Sequence, residues 1–301
     1  MDAHLETYLE VAELPPERFV RDLYRLGLRR DPEPEALERA LTKLSEGTLS
    51  RATLIWELAE SEEFARVRAL DECVAYATWA RTRGERPRGL TAGASFDDRL
   101  IELPWTLSRY RGEARVLDVG YAFAEPAYLA ALVELDAAEL VGVDLAEAEV
   151  PGMRTVRADV RSLPFADGSF DVAFCISTLE HVGRDNERYG YADDPDEQGM
   201  LAALQELRRV LAGEGRLFLS VPCGERRDLG WYVQLDPPGW QSLFEQSGFS
   251  VFELEYYQQH PDGWRAAPAD PGPPLVDGCL CTELRRRRLG SALRRLVRPG
   301  H

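Results

Sequence analysis

Apolar residues recur at helical spacing through the first quarter of the chain. Proline near the start, followed by apolar residues three or four positions apart, predicts amphipathic helices in "LPPERFVRDLYRLGL" and "DPEPEALERALTKLSEG". Their apolar positions are Phe19, Leu23 and Leu26 in the first segment and Leu37, Leu41 and Leu44 in the second. A third helix, in "SRATLIWELAESEEF", follows Ser50, a residue type that caps helix N-termini. The pattern predicts a helical domain over residues 1–70 that contains no recognisable catalytic motif.

A longer helical stretch runs from Ser61 to about Thr82 and leads into "RGERPRGLTAGAS", which is rich in Arg, Gly and Pro. We interpret residues 71–94 as a helix and linker.

From Arg115 onward, short apolar runs that end in acidic residues alternate with helical segments. "RVLDVG" and "ELVGVDLAE" predict strands that end near Asp118 and Asp144, and "MRTVRADV" ends in Asp159. "GSFDVAFCIST" is apolar on both faces, as a central parallel strand is, and "GRLFLSVP" predicts a fifth strand. The alternation predicts a doubly wound α/β domain over residues 95–284.

The end of this domain departs from simple alternation. "DPPGWQSLFEQSGFSVFELEYYQ" predicts a helix and a sixth strand, and "DGCLCTELRRR" returns after a Pro/Gly-rich loop as a seventh. Because no crossover helix precedes it, the seventh strand should lie antiparallel.

The loop after the first strand, "GYAFAE", keeps one glycine, Gly120. Dinucleotide binding through G-x-G-x-x-G is therefore not supported. A cofactor loop without a phosphate-cradling glycine run and an ordinary strand-helix junction both remain open on the loop alone. Asp144, at the end of the second strand, suits binding of the two ribose hydroxyls of a nucleoside.

Together these residues resemble the class I S-adenosylmethionine-dependent methyltransferases, whose first motif is D/E-x-G-x-G-x-G. "DVGYAFA" matches Asp118 and Gly120 but has Ala122 and Ala124 at the other glycines. The family's later strands and helix are similar to "RADVRSLPFADGSFDVAFCISTLEHVG" and "ALQELRRVLAGEGRLFLSVP". An insertion in a little-characterised bacterial branch of the family resembles "YGYADDPDEQG". The resemblance implies a seven-stranded Rossmann-like sheet with its last strand antiparallel, and S-adenosylmethionine as cofactor. The cofactor contacts that it implies are Asp118, Gly120, Tyr121, Ala122, Asp144, Leu145, Asp159, Val160 and Ser177.

The first domain has a resemblance of its own. "FVRDLYR" and the closing "SEEF" are similar to a short helical domain of unknown function found in bacterial surface-layer and glycan-assembly proteins. The resemblance implies an association with enzymes of polysaccharide biosynthesis but does not imply a reaction. The alternative is that these helices are an unrelated cap over an active site.

Methyl transfer to a hydroxyl or an amine needs a base for the departing proton. His181 follows the fourth strand, where acceptor and methyl group should meet, and imidazole titrates near neutral pH. A packing role in the pocket wall is the alternative for His181, and Glu180 is a weaker candidate for the base.

Aromatic residues that suit sugar stacking lie beside His181. We predict substrate contacts from Tyr189, Tyr191 and Trp231, although an acidic surface loop with buried aromatics explains the same pattern. We expect no metal site, because the acids at Asp193, Asp194 and Asp196 are close in sequence without evident convergence.

Composition narrows the setting. The chain is 45% hydrophobic and 29% charged, and its sequence shows neither a span of about 20 apolar residues nor an export signal. Its five cysteines are scattered. Together these features predict a reduced, cytoplasmic protein. The net charge of −16 argues against nucleic acid as partner. Residues 285–301 nevertheless contain seven arginines and no acid, so this basic tail either contacts an anionic membrane or is a solvated terminus.

The sequence thus predicts a methyltransferase that acts on oxygen of a sugar, a glycan or a related small molecule. A non-catalytic scaffold of a glycan-assembly complex, on a degenerate methyltransferase fold, is the rival hypothesis. The acceptor and the oligomeric state are not specified.

Overall fold

The computed structural model describes residues 11–190, 195–268 and 277–287. The chain divides into two compact units, Met1–Cys73 and Val74–His301, which are taken in turn. None of the helices in these ranges is both long and apolar enough to cross a bilayer.

The first unit is helical. It contains α1 (Pro16–Leu28), α2 (Pro34–Ser45) and α3 (Arg51–Ala59), and α4 (Glu62–Thr82) begins in it. Phe19, Val20 and Leu23 of α1 are fully buried against apolar residues of α2 and α3. The capping prediction for Ser50 is confirmed, because its side chain accepts a hydrogen bond from the Thr53 backbone N–H at 3.0 Å.

The second unit is built on one mixed sheet that has nine strands in the described residues. The strands are β1 (Thr91–Gly93), β2 (Arg115–Val119), β3 (Glu139–Asp144), β4 (Arg154–Arg157), β5 (Phe170–Ile176), β6 (Leu211–Pro222), β9 (Phe249–His260), β10 (Gly263–Ala267) and β11 (Gly278–Arg286), while β7 (Arg227–Asp228) and β8 (Val233–Gln234) form a separate pair. Their order is β1-β10-β9-β11-β6-β5-β2-β3-β4. The five neighbouring strands β4, β3, β2, β5 and β6 run parallel to one another. Strand β11 pairs antiparallel with both β6 and β9. The order β4-β3-β2-β5-β6 is that of a Rossmann-like domain.

Four helices of the second unit accompany this sheet. They are α5 (Arg99–Leu107), α6 (Pro126–Val133), α7 (Gly199–Val210) and α8 (Pro237–Gln246). The main apolar core packs one face of the central strands against Leu204 and Leu207 of α7 and Trp240 of α8. On the opposite face of β5, Val172 and Phe174 are fully buried as well. This burial explains why the β5 sequence is continuously apolar rather than alternating.

The expected count of seven strands is wrong for this sheet. Thr91–Gly93, in the predicted linker, pairs with β10, and β10 forms a hairpin with β9. Trp264 of β10 anchors the extension, because its side chain is buried and its Nε1 donates to the Phe96 carbonyl at 2.9 Å. The β1–β10 pairing joins residues far apart in sequence. The three residues of β1, among Arg, Gly and Pro, are too few to show the alternation that predicts a strand.

Candidate active site

Two adjoining cavities lie at the carboxyl ends of β2, β3 and β5. The first is lined by Arg99, Leu103, Asp118, Val119, Gly120, Phe123, Ala124, Glu125, Tyr128, Asp144, Ile176, Ser177, Thr178, His181 and Tyr189. The second is lined by Val119, Gly120, Val143, Asp144, Leu145, Ala158, Asp159, Val160, Thr178, His181, Val182 and Asn186. Residues such as Gly120, Asp144 and His181 line both, so the two cavities form one cleft. A cleft beyond the carboxyl ends of parallel strands is the usual ligand site of such sheets.

Gly120 allows the tight turn that follows β2. Its φ is 89°, and its N–H donates to the Val143 carbonyl at 2.9 Å. A Cβ at this position would overlap the side chain of Thr178, which crosses over from the end of β5. Glycine is therefore required here by both backbone conformation and space.

Asp144 ends β3 with its carboxylate at the junction of the cavities. Its oxygens accept the N–H groups of Ala122, at 3.1 Å, and Ala146, at 2.9 Å. Burial raises the pKa of this carboxyl, and the backbone N–H groups oppose that rise. The same hydrogen bonds shape the loop after Gly120, so Asp144 both organises the loop and offers acceptors to a ligand.

Asp118 lies under the loop at the end of β2. It is buried, and the Tyr128 hydroxyl of α6 donates to its Oδ1 at 2.6 Å. Burial raises its pKa to about 7, although the Tyr128 hydrogen bond lowers it. Asp118 therefore changes charge near neutral pH while lining the first cavity.

Asp159 and Val160 line the second cavity, which is mostly apolar. Arg161 holds the Asp159 carboxylate, with its Nη2 at 2.6 Å from Oδ2 and its Nε at 3.0 Å from Oδ1. Burial by itself would raise the pKa of Asp159, but the Arg161 hydrogen bonds outweigh burial and lower it. Asp159 is thus a fixed anion at the cavity edge.

A buried network links α5 to the ends of β5 and β6. Glu102 of α5 is fully buried, forms an ion pair with Arg99, and accepts the hydroxyls of Ser177, at 2.8 Å, and Ser220, at 2.7 Å. Ser177 has a φ of 43°, a conformation that costs a non-glycine residue about 1–2 kcal/mol. Backbone strain of this kind, held by hydrogen bonds at the edge of a cleft, is typical of functional sites.

His181 follows β5 in the turn Leu179–His181 and contacts both cavities. Its Nδ1 lies 2.9 Å from the Trp231 carbonyl oxygen, and its Nε2 lies 3.8 Å from Oε1 of Glu180. Burial lowers the pKa of His181, and the nearby Arg99 and Arg188 guanidinium groups act in the same direction. The neutral, proton-accepting ring is therefore the main form at neutral pH.

The neighbouring Glu180 carboxyl is almost fully buried, and its Oε2 has no hydrogen-bond partner among the described residues. Burial raises the pKa of Glu180 to about 8, so the group is protonated at neutral pH. A neutral acid thus lies beside the imidazole.

Aromatic rings surround His181. Its ring centroid is 5.5 Å from that of Tyr189, 5.1 Å from that of Trp231 and 6.0 Å from that of Tyr232. Phe123, whose side chain is exposed, extends the group at 5.0 Å from the Tyr189 ring. The open side of the cleft therefore presents aromatic rings.

The structure brings together most of the residues that the sequence singled out. Those that line the cleft are Asp118, Gly120, Asp144, Leu145, Asp159, Val160, Ser177, His181 and Tyr189. Tyr121 and Ala122 lie outside both linings: the Tyr121 side chain is buried under β3 with its hydroxyl on the Ala148 carbonyl at 3.1 Å. Trp231 contacts His181 rather than the cavities, and Tyr191 lies outside the described residues.

Sequence reading missed Arg99, Phe123 and Tyr128, which also line the cleft. Arg99 precedes the first motif by nearly 20 residues and carries no local signal. Tyr128 follows the motif on α6, where its hydroxyl distinguishes it from the apolar positions around it.

Comparison with known proteins agrees with this geometry. Residues 117–219 match the model of a methyltransferase domain, and residues 6–67 match the domain of unknown function DUF4214. An uncharacterised protein of Methanocaldococcus jannaschii is 35% identical over 68 residues, so the aligned part spans 23% of this chain and 23% of that relative.

Several solved structures are similar at low identity. The 1,6-didemethyltoxoflavin-N1-methyltransferase of Burkholderia thailandensis, with bound S-adenosylhomocysteine, has a TM-score of 0.41 at 17% identity over 59% of this chain and 73% of its own. The YcgJ protein of Bacillus subtilis has a TM-score of 0.41 at 17% identity, and the match covers 60% of this chain and 95% of that protein. With such low scores, the assignment rests on the domain match and on the strand order of the sheet. The chain therefore contains a region, residues 117–219, that matches a methyltransferase domain, and before it a region, residues 6–67, that matches DUF4214.

Proposed function

We propose that this protein transfers the methyl group of S-adenosylmethionine to a hydroxyl oxygen of a sugar, glycan or related small molecule, with His181 as the general base. The observation that carries the proposal is the position of His181. Its neutral imidazole lies on the cleft with one nitrogen engaged by Trp231 and the other left to accept a proton.

The residues of the cleft fit the cofactor. The apolar second cavity, edged by the fixed anion Asp159, suits a nucleobase, and Asp144 at the junction offers acceptors for ribose hydroxyls. Arg99 and Asp118 both line the first cavity, and we propose them as partners of the carboxylate and the ammonium of the cofactor's amino acid. When bound, S-adenosylmethionine supplies a methyl group on a positively charged sulfur, which is already a strong electrophile.

The work left to this chain is alignment and proton removal. Tyr189 and Phe123 narrow the open side of the first cavity, which orients an acceptor toward the sulfonium end. When the acceptor oxygen takes the methyl group that the bound cofactor would supply, Nε2 of His181 would take the hydroxyl proton. The Trp231 carbonyl stabilises the imidazolium that results, because it accepts the Nδ1 hydrogen bond throughout.

The sugar part of the proposal has two supports. Aromatic rings beside hydrogen-bonding groups suit the apolar face and hydroxyls of a pyranose. The DUF4214 domain resembles modules of surface-polysaccharide proteins, which supports a role in polysaccharide biosynthesis. Tyr189, Tyr191 and Trp231 remain the proposed substrate contacts, and the cytoplasm the proposed location. Membrane contact through the basic tail also stays a proposal, because residues 288–301 lie outside the described residues.

The test has two stages. Calorimetry with S-adenosylmethionine and S-adenosylhomocysteine measures the cofactor site, and transfer of labelled methyl to a panel of sugars, sugar acids and amines then measures the reaction. We expect binding of both cofactor forms and label on sugar oxygen. Absence of binding at millimolar ligand would instead favour the non-catalytic scaffold, and label on nitrogen would refute the hydroxyl acceptor.

A further inference from the structure

Arg188 lies beside the cleft, over the rings of Trp231 and Tyr189, and has no charged partner among the described residues. It lies in the turn Glu187–Tyr189 and is exposed. Its guanidinium carbon is 3.8 Å from the centroid of the Trp231 ring and 5.9 Å from that of Tyr189. Among the described residues it has no hydrogen bond or ion pair, and the carboxylate of its sequence neighbour Glu187 is beyond ion-pair distance.

Other arginines near this edge of the sheet are paired with carboxylates. Arg99 pairs with Glu102, Arg161 with Asp159, Arg184 with Asp228, Arg226 with Asp236 and Arg227 with Asp277. Arg188 is held in position by ring stacking, a contact that leaves its N–H donors unused.

Stacking also places this cation close to the reacting groups. Arg188 and His181 both contact Trp231, whose ring centroid is 5.1 Å from that of His181. The next residue, Tyr189, lines the first cavity. A group bound by Arg188 would therefore belong to the same molecule as an oxygen held near His181.

We propose that Arg188 binds an anionic group, a carboxylate or a phosphate, of the methyl acceptor, so that the acceptor is a charged sugar derivative rather than a neutral sugar. A stacked guanidinium presents a planar row of donors at its edge, which matches the paired oxygens of either group. The inference rests on the proposed function and adds the charge of the substrate to it.

The test uses the full chain saturated with S-adenosylhomocysteine, and three probes in calorimetry: glucose 1-phosphate, glucuronate and the neutral methyl glucoside. We expect at least one anionic probe to bind about ten-fold or more tightly than methyl glucoside, as charge-assisted hydrogen bonds predict. The preference of one anion over the other distinguishes a phosphate from a carboxylate.

Matched variants locate the site. Arg188→Gln should abolish the preference for the anionic probe, and Arg188→Lys should restore part of it because it keeps the charge without the planar donors. Arg83→Gln is the control, since Arg83 also stacks on an indole ring, that of Trp79 at 4.7 Å, whereas Arg188 stacks on Trp231, which contacts His181. S-adenosylhomocysteine affinity should be the same in all variants.

Two results distinguish a failure of the proposed anion site from a failure of the proposed function. Normal S-adenosylhomocysteine binding with no anion preference, or with a preference that survives Arg188→Gln, would overturn the anion site and leave the proposed function standing. Absence of S-adenosylhomocysteine binding would contradict the proposed function itself and remove the basis of the anion site.

Discussion

The Nδ1 atom of His181 lies 2.9 Å from the carbonyl oxygen of Trp231. A carbonyl only accepts hydrogen bonds, so Nδ1 carries the proton and the neutral ring has its lone pair at Nε2. The contact therefore selects one tautomer of the imidazole before any ligand binds. It also gives Trp231, expected from sequence as a substrate contact, a role in orienting His181.

The first prediction concerns this base. Replacement His181→Ala should lower single-turnover methylation about 10²–10⁴-fold while leaving cofactor affinity nearly unchanged. Because burial lowers the pKa of His181, the methylation rate of the wild type should fall only at pH values below the usual imidazole range. The variant should not show this fall in rate at acid pH. Single-turnover rates from pH 5.5 to 9 measure this, and equal rates in both proteins would shift the acceptor from a hydroxyl to a carboxylate.

The second prediction concerns Asp144. Asp144→Ala should weaken S-adenosylhomocysteine binding by about 1–3 kcal/mol, through loss of acceptors and of the Ala122 and Ala146 hydrogen bonds that shape the loop. Isothermal titration calorimetry measures the change. Asp171→Ala is the control, because Asp171 pairs with Arg115 away from the cleft. Equal affinity in the Asp144 variant and the wild type would exclude Asp144 from the site.

The third prediction separates sterics from backbone strain at Gly120. Gly120→Ala and Gly112→Ala both place alanine at positive φ, 89° and 85°, at a cost of about 1–2 kcal/mol each. Only Gly120→Ala also overlaps Thr178, whereas a Cβ at Gly112 meets open space. We expect Gly120→Ala to lose more stability in urea and to lose cofactor binding, and Gly112→Ala to keep it. Similar behaviour of the two variants would mean that the loop relaxes.

The fourth prediction uses the raised pKa of Glu180. Burial moves this pKa from 4.5 to about 8, so the folded protein binds an extra proton between these values and loses stability as pH rises through them. Glu180→Gln removes the titration. The stability of wild type relative to this variant should therefore decline by up to about 1.4 kcal/mol per pH unit across that interval. Urea unfolding at pH 5, 6, 7 and 8 measures the decline, with Glu187→Gln as an exposed control. A constant difference between wild type and Glu180→Gln would contradict the buried neutral acid.

The fifth prediction places the boundary of the methyltransferase unit. A chain that begins at Val74 should fold and bind S-adenosylhomocysteine as the full chain does. One that begins at Thr91 loses Arg86 and Arg88, which donate to the nearly buried Glu253 carboxylate at 3.0 and 2.7 Å. Removing partners of a buried charge costs about 3 kcal/mol or more. Denaturation midpoints of the two proteins test this, and equal midpoints would show that Arg109 alone satisfies Glu253.

The sequence by itself determined the α/β character of the second unit and the identity of its strand-end acids. Asp118, Asp144 and Asp159 were predictable because each follows a short apolar run, and the carboxyl ends of parallel strands meet at one edge. The helices of the first unit were equally readable, since apolar spacing and capping are local properties.

Tertiary structure decided how those acids behave. The sequence shows an acid at position 159 but not that Arg161 fixes its charge, and an acid at 118 but not that burial beside Tyr128 brings its pKa near neutrality. Charge state depends on neighbours and on solvent exclusion, which are set by packing rather than by spacing along the chain.

Tertiary structure also decided which distant segments complete the cleft. Glu102 accepts hydrogen bonds from Ser177 and Ser220 across 75 and 118 residues of sequence, and its ion-pair partner Arg99 lines the first cavity. Pairings of this kind leave no period in the chain, because they arise where α5 packs over the ends of the strands. The motifs therefore located the edge of the sheet where the site lies, and the packing of α5 and of the Trp231 segment determined the groups that face it.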